Sequence, residues 1–146
     1  MPVLGTLGEV LRVGDLGSGA ALKLVANSML SMVTVAGAEL LAAAERTGLD
    51  PEIAFSTLTR FAPALAGRRD GYLHGRHSPA MFTVRDLLKD LDLSLGLFHR
   101  AGATTPLTAL VRELVADSAR TAAALDISAI TSHYAPESRP AEVGSR

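Results

Sequence analysis

Hydrophobic residues recur every three or four positions between Ser18 and Gly48, which is the repeat of one α-helical face. Ser18 is placed to cap the start, and Gly48 follows Arg46 where a left-handed helix stop belongs. The pattern predicts one helix of about 30 residues, roughly 45 Å long, as the spine of the domain. The repeating residues are Leu22, Val25, Ala26, Met29, Val33, Ala36, Leu40 and Ala44.

Shorter helices follow the long one. Asp50 and Pro51 form a cap and first position for a helix over residues 50–60. The pattern predicts further helices over residues 83–100 and 105–125, and the stretch "DISAI" is placed to begin a short last helix. Residues 66–81, "AGRRDGYLHGRHSPAM", are rich in glycine and charge and predict a loop.

Both ends of the chain differ from this helical pattern. Residues 9–13, "EVLRV", lie between glycines and predict a short β-strand, which would need partner strands elsewhere. The residues from Pro136 onward read as a disordered tail. We therefore divide the chain into a strand and hinge (1–17), an all-α domain (18–134) and a tail (135–146).

The composition narrows the class of protein. The chain has 146 residues, the size of one domain, and is 48% hydrophobic but only 4% aromatic, which suits packed helices. Its net charge of −1 predicts neither a nucleic-acid nor a membrane partner, and the N-terminus lacks the pattern of a signal peptide. The absence of cysteine excludes disulfides and thiolate metal sites. These features predict a soluble, cytoplasmic protein.

The glycine-rich start of the long helix resembles a phosphate loop only superficially. A Walker loop requires lysine where Ala20 stands, and a dinucleotide fingerprint requires glycine where Leu22 stands. The remaining pattern places Lys23 and Asn27 four residues apart, on one helix face near the positive end of the helix dipole. Such a pair can hold a carboxylate or hydroxyl, and the lysine can serve as a general acid or base. The alternative is a solvated lysine beside an ordinary asparagine.

Three spaced segments resemble the β-hydroxyacid dehydrogenase family, the enzymes similar to 3-hydroxyisobutyrate dehydrogenase. "GDLGSGAALKLVAN" fits the family pattern G-x-G-x-x-x-K-x-x-x-N. "MFTVRDLLKDLDLSL" is similar to F-x-x-x-L-x-x-K-D-L-x-L-A, and "AGATTPLTALVRELV" is similar to G-x-x-x-P-L-x-x-x-x-x-x-L. The resemblance extends over residues 9–131.

The resemblance implies a fold and a partner. Family members have an N-terminal Rossmann domain that binds NAD or NADP and a C-terminal helical domain that commonly forms a homodimer. This chain resembles the second part alone, so residues 9–13 would be a remnant strand of a missing sheet. The resemblance therefore implies that the chain works with a separate Rossmann-domain chain or is part of a longer enzyme.

The resemblance also implies roles for individual residues. Lys23 matches the catalytic lysine of the family, while Asn27 and Gly19 match substrate-binding positions. Three further positions match the cofactor-binding region: Lys89, Phe82 and Asp90. For Lys89 the alternative is a solvated salt bridge on a helix surface.

Two hypotheses about function result. The first is the substrate-side and dimerisation domain of an NAD(P)-dependent dehydrogenase acting on a small 3-hydroxyacid, inactive without a Rossmann domain. Ala26 argues against a sugar-phosphate substrate, because related phosphogluconate dehydrogenases carry histidine there. The second is a non-catalytic, homodimerising helical module, favoured by the small residues at 36–38 and 42–44. His74 and His77 lack a third ligand nearby, so no metal site is predicted.

Overall fold

The computed structural model describes residue 6 and residues 8–135, and over these the fold is all-α, as predicted. Two short 3₁₀ helices, Pro63–Arg68 and Ile127–His133, supplement the α-helices. The α-helices are α1 (Ser18–Arg46), α2 (Pro51–Phe61), α3 (Arg69–His74), α4 (Val84–Arg100) and α5 (Pro106–Ala122).

Helix α1 is the spine of the domain, and it packs against α2, α4, α5 and the final 3₁₀ helix. Its end agrees with the prediction, because Gly48 adopts a left-handed conformation (φ 84°) and the next amide donates to the Ala44 carbonyl. Its start differs by one residue. Gly17, at φ 97°, is the N-cap, and Ser18 is the first helical residue.

The predicted apolar face of α1 is largely exposed, which corrects the expectation that this face would form the core. Leu22, Val25, Met29 and Leu40 are each 50–60% exposed. The buried face instead contains Ser28, Ser31, Thr34, Val35, Gly37, Ala38 and Leu41. Its hydroxyls donate to carbonyls within α1, so these polar groups are satisfied inside the core and their burial costs little.

The remaining core is formed by the apolar faces of α4 and α5. Thr83 caps α4 by accepting a hydrogen bond from the Asp86 amide, and Val84, Leu87 and Leu91 are each 1% exposed. Asp50 caps α2 in the same way. Helix α5 begins at Pro106 as predicted but ends at Ala122, three residues early, before the chain turns into the final 3₁₀ helix.

The prediction of a loop over residues 66–81 is wrong in its first half. That half folds into the end of the 3₁₀ helix Pro63–Arg68 and into α3. Leu65 and Tyr72 provide the apolar anchors, because both are buried and the Tyr72 hydroxyl donates to the Thr34 carbonyl of α1 at 2.8 Å. Gly71 allows α3 to lie close to the final 3₁₀ helix, since a Cβ there would clash with the Ser128 side chain.

The prediction of a strand over residues 9–13 is not met, since these residues have no regular secondary structure. A strand requires backbone partners, and the described part of the chain contains only an isolated bridge between Thr83 and Asp126. The predicted tail, apart from Ala135, lies outside the described residues. The same is true of residues 1–5 and 7 of the predicted hinge segment.

Candidate active site

The first turns of α1 and the middle of α4 bring three of the predicted site residues together. Lys23 Nζ lies 2.8 Å from Asp90 Oδ2, and the Asn27 amide donates to the same oxygen at 2.6 Å. The spacing of four residues on α1 places both donors over one carboxylate of α4. The Asp90 side chain is 2% exposed and the Lys23 side chain is 59% exposed, so a buried anion holds a cation at the surface.

Asp90 is charged in spite of its burial. Removal from water raises the pKa of a carboxyl group, but the hydrogen bonds from Lys23 and Asn27 and the nearby ammonium of Lys89 outweigh this effect. The pKa of Asp90 is therefore held below its ordinary value. A charged Asp90 keeps the Lys23 ammonium and the Asn27 amide in place.

Lys89 approaches the same carboxylate from α4 itself. Its Nζ lies 3.9 Å from Asp90 Oδ1 and 3.7 Å from Asp86 Oδ1. The Lys89 side chain is exposed, so the contact with Asp86 is the helix-surface salt bridge that the sequence offered as the alternative. Its contact with Asp90 also places a second cation on the carboxylate that holds Lys23. The cofactor contact that the family resemblance implies for Lys89 stays a prediction.

The two other predicted residues lie outside this cluster. Gly19 is exposed one turn before Lys23, and a Cβ there would meet no atom within 4 Å, so the surface is open at this point. Phe82 lies just before α4, where its side chain packs against the core and its amide donates to Asp126. Within the described residues, no hydrogen bond joins Phe82 to Lys23, Asn27 or Asp90.

The sequence reasoning missed Ser94, which is fully buried one turn after Asp90. Its hydroxyl is within hydrogen-bond distance of the Leu24 carbonyl of α1 and the Asp90 carbonyl of α4. A polar residue on the apolar side of a helix was the only signal in the sequence. Its significance becomes visible only when α1 and α4 are brought together.

The sequence reasoning also missed a second buried carboxylate, Asp126. Arg68 donates to it at 3.1 Å, and three backbone amides, those of Met81, Phe82 and Ser128, donate as well. Burial opposes the charge, but these donors hold the pKa of Asp126 below its ordinary value. Asp126 therefore ties the segment before α4 to the final 3₁₀ helix.

The Lys23 cluster lies on an open surface and not in an enclosed pocket. A cavity of about 450 Å³ lies between the second half of α1, α3 and the final 3₁₀ helix, where Leu41, Tyr72 and Tyr134 line it. Neither Lys23, Asn27 nor Asp90 lines this cavity. A substrate at Lys23 would therefore require a second wall that the described residues do not provide.

The chemistry available at the cluster is proton transfer and anion binding. An ammonium group held by a carboxylate can donate a proton to an oxygen or bind an anion, and the Asn27 amide oxygen has no partner within the described part of the chain. No group of three or more metal-ligating side chains lies within the described residues.

Helix α1 is long and apolar enough to cross a membrane, judged by length and composition. Its most apolar window has a mean hydropathy of 1.5, and 39% of that window is buried inside the domain. The central helix of a folded domain also meets these criteria, and α1 holds the buried hydroxyl groups described above.

Comparison with known proteins identifies the family. The sequence profile described as NAD-binding of NADP-dependent 3-hydroxyisobutyrate dehydrogenase matches residues 17–134. The chain therefore belongs to this family of NAD(P)-binding oxidoreductase domains, within the β-hydroxyacid dehydrogenases, as the resemblance implied.

Individual relatives agree with this assignment. The 3-hydroxyisobutyrate dehydrogenase of Pseudomonas aeruginosa is 31% identical over 152 aligned positions, covering 91% of this chain and 49% of the relative. The chloroplastic glyoxylate/succinic semialdehyde reductase 2 of Arabidopsis thaliana is 28% identical over 117 residues, covering 77% of this chain and 32% of the relative. The chain thus spans half or less of these relatives.

Solved structures show the same fold. A 3-hydroxyisobutyrate dehydrogenase from Salmonella typhimurium superposes with a TM-score of 0.81 at 22% identity, covering 90% of this chain and 48% of that protein. The Mycobacterium tuberculosis 3-hydroxyisobutyrate dehydrogenase, solved with L-serine, gives a TM-score of 0.75 at 26% identity, covering 92% and 50%. The fold is therefore that of one half of these enzymes.

Proposed function

We propose that this chain is the substrate-side domain of a cytoplasmic NAD(P)-dependent 3-hydroxyacid dehydrogenase, with Lys23 as its acid–base group. The observation that carries the proposal is the meeting of Lys23, Asn27 and Asp90 at one point of the surface. These residues match the family pattern and come from two different helices. Membership of the family supports the reaction class.

The role of Lys23 follows from its position. In the reducing direction, its ammonium donates a proton to the substrate carbonyl oxygen as that oxygen becomes a hydroxyl. In the oxidising direction, its neutral amine accepts the hydroxyl proton. A bound nicotinamide cofactor would supply the hydride-transfer chemistry. Asp90 holds the Lys23 ammonium in place through their 2.8 Å ion pair, so Asp90 acts as a positioning residue in this scheme.

Asn27 has a complementary role in the proposal. Its amide nitrogen donates to Asp90, and this leaves the amide oxygen free to accept a hydrogen bond from a substrate hydroxyl. Gly19, exposed one turn earlier, leaves room for the substrate beside the helix start. Lys89 supplies positive charge for the substrate carboxylate or for the cofactor.

We expect the chain alone to be inactive. The cluster is open to solvent, and acid–base groups accelerate reactions only when the reactants are held in position. A cofactor-binding α/β domain would supply the missing wall and the nicotinamide. The exposed apolar stripe of α1, Leu22, Val25, Met29 and Leu40, is a surface that such a domain would cover.

The test supplies that domain in trans. The N-terminal, cofactor-binding half of the Pseudomonas aeruginosa relative is mixed with this chain, and reduction of NAD or NADP by 3-hydroxyisobutyrate is followed. We expect no turnover from either half and measurable turnover from the mixture. Lys23→Ala should lower the turnover of the mixture by about 10²–10⁴-fold, the usual contribution of an acid–base group.

The matched control is Arg85→Ala, which removes an exposed cation from α4 without touching the cluster. It should leave turnover unchanged. Turnover by the isolated chain would refute the expected inactivity, and full activity of the Lys23→Ala mixture would refute the role of Lys23.

The second candidate is a non-catalytic homodimerising module, and the same exposed stripe on α1 favours it. A second copy of α1 could pack there, because the exposed residues Ala36 and Ala43 are small enough for close helix contact. Sedimentation of the same samples separates the candidates. A chain that dimerises through this face and never responds to the cofactor-binding half would support the module and contradict the enzyme.

A further inference from the structure

Ser94 links the two helices that form the Lys23 cluster. It lies on α4 one turn after Asp90 and is 0% exposed. Its Oγ is 2.7 Å from the Asp90 carbonyl oxygen and 3.2 Å from the Leu24 carbonyl oxygen of α1. The single hydroxyl proton is therefore shared in a bifurcated hydrogen bond between the two helices.

The two acceptors are next to the groups that carry the proposed chemistry. One belongs to Asp90 itself, and the other belongs to Leu24, the residue directly after Lys23. A change in the separation of α1 and α4 at this level would move the lysine and the carboxylate relative to each other. The hydroxyl connects the two backbones at that level.

Asn27 is the group most sensitive to this separation. Its side chain is short, and its amide lies 2.6 Å from Asp90 Oδ2, so it cannot follow a backbone shift as the long Lys23 side chain can. The register of α1 against α4 therefore decides whether Asp90 accepts hydrogen bonds from Lys23 and Asn27 at the same time.

A hydroxyl is not required for α4 to be a helix at this position. Alanine has the highest helix propensity and removes only the oxygen atom. The serine thus adds a polar link that helix formation itself does not need.

We infer that Ser94 is a positioning residue, which holds α1 and α4 in the register that places Lys23 and Asn27 together on Asp90. The inference deepens the proposed function and rests on it for its catalytic meaning. The link between the helices exists independently of catalysis, and it can be measured on this chain alone.

The experiment is a pH titration of side-chain carboxyl ¹³C signals by NMR in three forms of the chain: wild type, Ser94→Ala and Ser28→Ala. Ser28 is the matched control, because its buried hydroxyl donates to the same Leu24 carbonyl at 2.9 Å but lies on α1 and makes no link to α4. Thermal melts show whether all three forms are folded.

We expect the titration midpoint of Asp90 to move upward in Ser94→Ala, because the carboxylate loses the close approach of Asn27. The Asn27 side-chain amide signal should shift with it. In Ser28→Ala both should remain at their wild-type values. The titration of the Asp126 carboxyl should be unchanged in both variants.

Three results would overturn the inference. These are an unchanged Asp90 midpoint in Ser94→Ala, an equal change in Ser28→Ala, and a Ser94→Ala chain that no longer folds. The last would make the hydroxyl a requirement of folding and not a device that positions the cluster. The titration needs no cofactor and no turnover, so its outcome is independent of the in-trans assay.

Discussion

The two buried carboxylates described above, Asp90 and Asp126, are buried to a similar extent but accept hydrogen bonds from different kinds of group. Both are less than 5% exposed, and both have a pKa below the ordinary value because their donors outweigh the effect of burial. Asp126 is held by three backbone amides and by Arg68, whose side chain is only 11% exposed. Asp90 is held by side chains alone, and its lysine partner is largely in solvent.

Under the proposed function, this difference separates a carboxylate that stabilises the fold, Asp126, from one that positions the acid–base group, Asp90. Backbone amides cannot leave Asp126 without unfolding the segment before α4 or the final 3₁₀ helix. Lys23 can leave Asp90 by rotation about side-chain bonds, and it can then reach a ligand and return. We therefore call Asp126 a clamp, because it fixes backbone segments to each other. We call Asp90 an anchor, because it holds a side chain that can move. The predictions below test this contrast.

The largest effect is expected from Asp126→Ala. The substitution leaves a buried guanidinium and three amides without their acceptor, and breaking a buried pair in this way costs about 3–5 kcal/mol. Urea unfolding followed by circular dichroism measures the loss in free energy of unfolding. A loss below about 1 kcal/mol would show that water replaces the carboxylate and that Asp126 is no clamp.

A smaller loss is expected from Asp90→Ala. The Lys23 ammonium is already mostly solvated and regains water when the carboxylate is removed, so the loss should resemble that of ordinary hydrogen bonds, about 1–2 kcal/mol. The same unfolding measurement compares the two variants directly. Equal losses for Asp90→Ala and Asp126→Ala would contradict the distinction between clamp and anchor.

The smallest effect is expected in the pH dependence of the free energy of unfolding of the wild type and the two variants. A carboxyl group whose pKa is lower in the folded state contributes stability above its unfolded pKa and loses it as pH falls through its folded pKa. Both carboxyls have lowered pKa values, so the wild type should lose stability below about pH 4. Unfolding curves at pH 7, 5, 4 and 3 measure this loss.

The gap between wild type and Asp126→Ala should be constant above pH 5 and narrow below pH 4. The gap for Asp90→Ala should narrow over the same range but by less, because its partners are exposed. A gap that widens as the pH falls would mean that the carboxyl binds its proton more strongly in the folded state, which would contradict the charged form of both residues.

The sequence pattern correctly predicted those helices whose ends are fixed by residues close by in the chain. The bounds of α1, the Asp50 cap of α2 and the span of α4 depend on caps, proline positions and left-handed glycines within a few residues. The shared face of Lys23 and Asn27 follows from helix geometry in the same way. The resemblance to the dehydrogenase family added Asp90 as a candidate but not its partners.

The tertiary structure decided which apolar stripe of α1 is buried, and the periodicity alone favoured the wrong one. Ser28, Ser31 and Thr34 read as polar in a sequence, yet their hydroxyls bond within the helix and the three residues are buried. The folding of residues 66–81 was likewise decided by the docking of Tyr72 on α1.

The sequence by itself determined where α1, α2 and α4 begin and end and which of their residues share a face, because these depend on neighbours within one or two turns. Only the tertiary structure decided that Asp90 and Lys23, 67 residues apart, form one group, and that Ser94 ties their helices together. Such pairings depend on how whole helix faces pack, and packing is a sum over many distant contacts that no local pattern contains.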